Sequence, residues 1–180
     1  MRATKMRLLW AAGVAAVVAA AVVGTAIATG GNNNVRGALE GYQEVPSVST
    51  PATGSFTAQL ENGGARIKYT LKYSALEAPV TQAHIHFGQR SVNGGISTFL
   101  CSNLGNGPAG TQACPAGPAT VTGTIEADDV VGPAAQGIAP GELAELVQAI
   151  RRGVAYANVH STKYPGGEIR AQLRKGKGGR

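Results

Sequence analysis

Residues 54–73 alternate twice between apolar and polar side chains, and that pattern limits the chain to a fold built from half-buried strands. Phe56, Ala58 and Leu60 alternate with Ser55, Thr57 and Gln59; after Asn62-Gly63-Gly64, Ala65, Ile67, Tyr69, Leu71 and Tyr73 alternate with Arg66, Lys68, Thr70 and Lys72. Successive side chains on a strand point to opposite faces, so each run has one face for a core and one for water. The Asn-Gly-Gly turn joins the two runs into a hairpin. Further short strands are predicted over residues 82–88, 95–100, 119–127, 154–161 and 168–173, separated by turn signals such as Asn93-Gly94-Gly95 and Pro165-Gly166-Gly167. Only residues 140–152 carry a helical period. There Leu143, Leu146, Val147 and Ile150 form one stripe, Pro140 stands near the start and Gly153 past the end, and Arg151 and Arg152 complement the dipole of the last turn. One short helix among many short strands predicts an all-β fold, an antiparallel Greek-key β-sandwich. The 180 residues, 43% hydrophobic with 26 glycines, suffice for one such domain and leave no room for a second.

The two ends differ from this body. Residues 1–28 read as an export signal: a basic start with Arg2, Lys5 and Arg7, an unbroken apolar run from Leu8 to Gly24, and Ala26-Ile27-Ala28 as a small-x-small cleavage site. Contact with a membrane is expected only if this segment stays uncleaved as an anchor. Residues 29–35 read as a flexible leader, residues 36–173 as the domain, and residues 174–180 as a basic disordered tail. The formal charge of +6 belongs to the ends, because removing the seven basic residues there leaves nine against ten acidic ones. A near-neutral body disfavours nucleic-acid binding. An electrostatic tether from the tail to an anionic envelope polymer or lipid is a weaker expectation.

Two cysteines, Cys101 and Cys114, flank a stretch rich in Gly, Pro and Asn that has little else to hold its shape. In an exported chain they predict a disulfide, worth about 3 kcal/mol on the chain-entropy model, whereas their number and spacing exclude a CxxC redox pair and a four-cysteine zinc knot. Asp128-Asp129 reads as a turn or solvated helix start rather than a calcium site, since other oxygen ligands are lacking.

All three histidines fall in predicted strands. His84 and His86 are i and i+2 and share a face, while Ile85 and Phe87 point the other way. If the strand carrying His160 packs beside that pair, three imidazoles converge as a ligand set for copper or zinc. The alternative is a structural polar network in which the rings bond to backbone and to Glu44, Asn158, Glu168 and Arg170. Glu168 and Arg170, again i and i+2, are placed to pair on one face. No nucleophile elbow, phosphate loop or free cysteine offers a catalytic residue, so enzymatic turnover is not expected.

Four stretches in order resemble the CHRD domain, the module named after the extracellular antagonist chordin. They are residues 39–46 with Ala52-Thr53-Gly54, then Ala83-His84-Ile85-His86-Phe87-Gly88, the helix ending at Gly153, and residues 155–161 running into Pro165-Gly166-Gly167-Glu168-Ile169-Arg170. The resemblance spans roughly residues 39–173, departing where Ser161 replaces the usual Thr and Ala171 the usual Gly. It implies an extracytoplasmic β-sandwich of immunoglobulin-like or superoxide-dismutase-like architecture. The function it implies is a binding or structural module without assigned catalysis, secreted or at the cell surface, in a single-domain chain of bacterial type whose partner is an extracellular protein or envelope polymer. His84-Ile85-His86 also looks like the copper-ligand strand of Cu/Zn superoxide dismutase, although three histidines cannot furnish a dinuclear centre. A mononuclear copper or zinc protein is therefore the second functional expectation.

Overall fold

A computed structural model describes residues 33–176. The expected signal peptide and the end of the tail lie outside the described residues. Nine strands form a single sheet: β1 (Asn34–Glu40), β2 (Thr53–Glu61), β3 (Arg66–Ser74), β4 (Val80–Phe87), β5 (Gly95–Ser102), β6 (Ala119–Ile125), β7 (Ala155–Ser161), β8 (Ile169–Gln172) and β9 (Arg174–Lys175). The order across the sheet is β5-β4-β7-β8-β1-β2-β3-β6, with β9 beside β1 and every pair antiparallel. The sheet curls until its two ends, β5 and β6, touch again, and the Tyr69 hydroxyl donates across that gap to the Leu100 carbonyl at 2.9 Å. The all-β antiparallel fold read from the sequence is thus a nearly closed barrel or sandwich, with one α-helix among the described residues.

The predicted hairpin is β2–β3, in register from Thr53↔Ser74 to Glu61↔Arg66. Its apolar face supplies Phe56, Ile67 and Leu71, all at 0% exposure. Burying each such side chain contributes about 1.5–3 kcal/mol. The helix, α1 (Leu143–Arg152), buries the stripe Leu143, Leu146, Val147 and Ile150, as its period predicts. It starts later than residue 140 because Gly141 has φ +87, a left-handed conformation that interrupts the helical path. Gly153, at φ 72, ends it, and Arg151 donates to the Gly63 carbonyl in the β2–β3 turn. Asp129 caps the backbone of Glu126 in a short 3-10 turn, the structural role expected for the Asp128-Asp129 pair.

Strand structure continues past both expected bounds of the domain. Asn34 and Val35, assigned to a flexible leader, open β1, where Val35 is buried. The alternation is hard to see because its middle member is Gly37, and a Cβ there would sit 2.8 Å from that of Ala171. Arg174 and Lys175, assigned to a disordered tail, pair with Arg36 and Val35 as β9. Leu173 anchors this exit, fully buried and with its N–H on the Ala155 carbonyl.

Cys101 and Cys114 form a disulfide between the end of β5 and the long β5–β6 connection. Asn103 supports it, bonding both the N–H and the carbonyl of Cys114. Replacing both cysteines with serine is expected to lower stability by about 3 kcal/mol, read as a shifted urea midpoint. A shift within error would show that the bonds of Asn103 alone hold the connection.

Candidate metal centre

Strands β4, β7 and β8 carry two chemistries on their two faces. Ala83, Ile85, Ala157, Val159, Ile169 and Ala171 point into the apolar core. The alternate residues, among them His84, His86, Tyr156, Asn158, His160 and Arg170, are buried on the opposite face. Directly paired residues of antiparallel strands share a face, and the registers Gln82↔His160, His84↔Asn158 and His86↔Tyr156 therefore set His160 beside the His-x-His pair. Loops roof this polar face. Glu44, from the β1–β2 connection, packs on Gly167 of the β7–β8 turn, and Asn93, from the β4–β5 connection, donates to the Val45 carbonyl.

The three imidazoles converge, with one nitrogen from each lying within 4.8 Å of the others. His84, His160 and His86 are 0%, 5% and 8% exposed. His86 Nδ1 lies 2.9 Å from the Gly94 carbonyl and His160 Nδ1 2.9 Å from the Pro165 carbonyl. A carbonyl can only accept, so each Nδ1 carries the proton and each Nε2 keeps its lone pair. His84 Nδ1 sits 3.1 Å from His160 Nε2, which is also 3.1 Å from Asn158 Oδ1. The Nε2 atoms of His84 and His86 are buried with no hydrogen-bond partner.

Such orphaned nitrogens are costly unless something fills the space between them. A metal ion fits the donor set: three neutral imidazoles, two of them oriented through Nδ1 by backbone carbonyls in the manner that fixes metal-binding histidines. Burial, then the neighbouring rings of His160 and His86, push the pKa of His84 down to about 2. Burial likewise lowers His86 to about 4 against the raising effect of the Gly94 carbonyl, and lowers His160. All three rings are therefore neutral at physiological pH, and protons compete weakly for their lone pairs.

Aromatic contacts hold the rings. His84 meets Phe99 edge-to-face at 4.5 Å, and His86 stacks on Tyr156 at 4.7 Å with the planes 2° apart. The Arg170 guanidinium lies 3.4 Å from the Tyr156 ring centroid. The expected Glu168–Arg170 pair is not formed. Arg170 instead donates to Asn93 Oδ1 and to the Gln89 and Val92 carbonyls, while Glu168 accepts from Thr50 and from the Glu77 N–H. Loops from distant parts of the chain outcompete the near neighbour on the strand. Nor do Glu44, Glu168 or Arg170 bond the histidines; of the expected network only Asn158 reaches one, its side-chain amide lying 3.1 Å from His160 Nε2. Tyr156 also belongs to this face, and the only sequence signal for it is its place two residues before Asn158 and four before His160 on the same strand. The carbonyls of Gly94 and Pro165 carry no side-chain signal at all.

Gly94 is the most constrained of these positions, since a methyl there would land on the Phe87 carbonyl. Gly94→Ala is expected to displace the β4–β5 loop and release His86 from its carbonyl. The imidazole N–H resonance of His86 in NMR spectra reports this, and an unchanged resonance would refute it.

A family model described as CHRD domain matches residues 35–173. Neither a curated protein nor a solved structure matches the chain. The family match begins at the first buried residue of β1 and ends at Leu173, enclosing all three histidines, both cysteines and the loops that roof the polar face: the chain belongs to the CHRD domain family.

Proposed function

We propose that this CHRD domain is an extracytoplasmic binding module, secreted or held at the cell surface, and that one thing it binds is a single copper or zinc ion. His84, His86 and His160 are the ligands. The observation that carries this reading is the convergence of three buried, neutral imidazoles with the Nε2 atoms of His84 and His86 unpartnered. Gly94 and Pro165 orient His86 and His160 through their carbonyls, Phe99 and Tyr156 fix the ring planes, and the roofing loops limit access of water. A bound ion supplies positive charge and Lewis acidity at this point, and copper adds redox capacity. No catalytic step is assigned. The disulfide and the export-type N-terminal sequence support a location outside the cytoplasm.

Elemental analysis and titration with zinc and copper test the reading on purified protein. Close to one ion per chain is expected, with tight binding lost in His84→Ala/His86→Ala. Circular dichroism and the intact disulfide check that the variant is folded, and His86→Gln provides a milder second variant. Absence of binding at micromolar metal, or undiminished binding by a folded double variant, would overturn it.

A further inference from the structure

Two adjoining hollows lie on the other side of Arg170, away from the three histidines, with volumes of about 440 and 270 Å³. They share Gln43, Arg90 and Gln172, and so form one continuous groove along β1. The larger hollow is flanked by Arg36 and Arg174, which are direct register partners on β1 and β9. Like charges placed opposite one another destabilise a strand pair, and Arg90 adds a third positive charge to the same groove. The two ion pairs among the described residues are Arg66–Glu126 and Lys163–Glu77, so none of these three arginines has a carboxylate.

The smaller hollow has a different character. Glu44 and Gln172 line it, 5% and 8% exposed, and Oε1 of each is buried with no hydrogen-bond partner. Tyr42 stands at its rim, 71% exposed. Unpartnered buried acceptors call for a ligand with hydrogen-bond donors. A bare aromatic face beside them suits a ring with an apolar side, and the arginines call for carboxylates or phosphates. Phosphate polymers satisfy the arginines but bring no hydroxyl donors to Glu44 and Gln172. A polymer of sugar acids satisfies all three.

We propose that this groove binds an acidic glycan. One sugar ring lies on Tyr42 with hydroxyls donating to Glu44 and Gln172, and carboxylates of the following units pair with Arg90, Arg36 and Arg174. Burial raises the Glu44 carboxyl to about 7, against the pull of Arg170, so at neutral pH it opposes an anionic ligand less than a full charge would. Arg36 and Arg90 belong to the near-neutral body, whose overall balance conceals this local excess of positive charge, and Arg174 adds to it from the C-terminal end. The site is independent of the metal reading and shares no ligand residue with it.

The test is calorimetric titration of the full protein with an oligogalacturonate, its methyl-esterified form and polyphosphate. The oligogalacturonate is expected to bind, the ester at least tenfold more weakly. Tyr42→Ala and Arg36→Ser/Arg174→Ser, all at exposed positions, are each expected to weaken it tenfold or more. His84→Ala/His86→Ala is expected to leave it unchanged, which separates failure here from failure of the metal site. Absence of oligogalacturonate binding at millimolar concentration would overturn the proposal. So would binding indifferent to Tyr42→Ala and matched by polyphosphate, which marks a charged surface without sugar recognition.

Discussion

Arg170→Ala is expected to lower the unfolding free energy by about 3–5 kcal/mol, the range for removing one member of a buried charged network. Arg170 is 1% exposed and is the largest side chain among the fully buried ones. Its guanidinium ties the β4–β5 connection to the sheet through three bonds of 2.8–3.2 Å to Val92, Gln89 and Asn93. Truncation would leave Asn93 Oδ1, the Val92 carbonyl and one face of Tyr156 without a partner, and would remove the positive charge that partly stabilises the ionised form of Glu44. Arg170→Lys is expected to recover only part of the loss, because an ammonium cannot reproduce the planar fork lying on the tyrosine ring. Urea unfolding measures both variants, and a loss under about 1 kcal/mol for alanine would contradict the assignment.

Acidification is expected to destabilise the metal-free domain by about 3 kcal/mol between pH 6.5 and 4.5. His84 and His86 have an ordinary value of 6.5, lowered to about 2 and about 4 in the fold. In that window the unfolded chain holds a proton on each ring and the folded one does not, so their contribution, fully present above 6.5, is lost as pH falls. Glu44 runs the other way. Its value rises from 4.5 to about 7, so its contribution is fully present below 4.5 and is lost as pH rises through about 7. One net proton taken up by the unfolded state therefore remains, at about 1.4 kcal/mol per pH unit, and the lowered value of His160 adds to it. Below 4.5 Glu44 is protonated in both states and no longer opposes the histidines, but His86 takes up its own proton in the fold near pH 4 and only His84 continues to drive the slope, which stays close to one proton. Glu44→Gln is expected to roughly double the slope between 4.5 and 6.5. Urea midpoints of chelator-treated protein across this range decide the matter, and a flat profile would show that the rings are protonated in the fold.

The β2–β3 hairpin and the buried stripe of α1 were legible because each expresses its period through unbroken apolar side chains. β1 was not, because Gly37 supplies no side chain where Ala171 comes close. The shared face of His84 and His86 follows from strand geometry alone. The approach of His160 does not, since alternation says which way a side chain points and nothing about which strands become neighbours. Residues 84 and 160 meet only because β4 pairs with β7. Glu168 and Arg170 show the same limit: being two apart offered each a partner, and loops from residues 41–52, 75–79 and 88–94 supplied others.

The two-faced strand β4 has a consequence for misfolding. A slip of one residue would exchange Ala83, Ile85 and Phe87 for His84 and His86, driving imidazoles into the apolar interior and leaving aliphatic side chains under loops built to receive polar ones. Most strands with a wet outer face are penalised on one side only when they shift. Here both sides object, and β4, which also bulges against β5, has a single tolerable frame. Pairing errors at this strand are therefore self-correcting in energy, so the residues best placed to bind a ligand also report whether the chain has been threaded correctly.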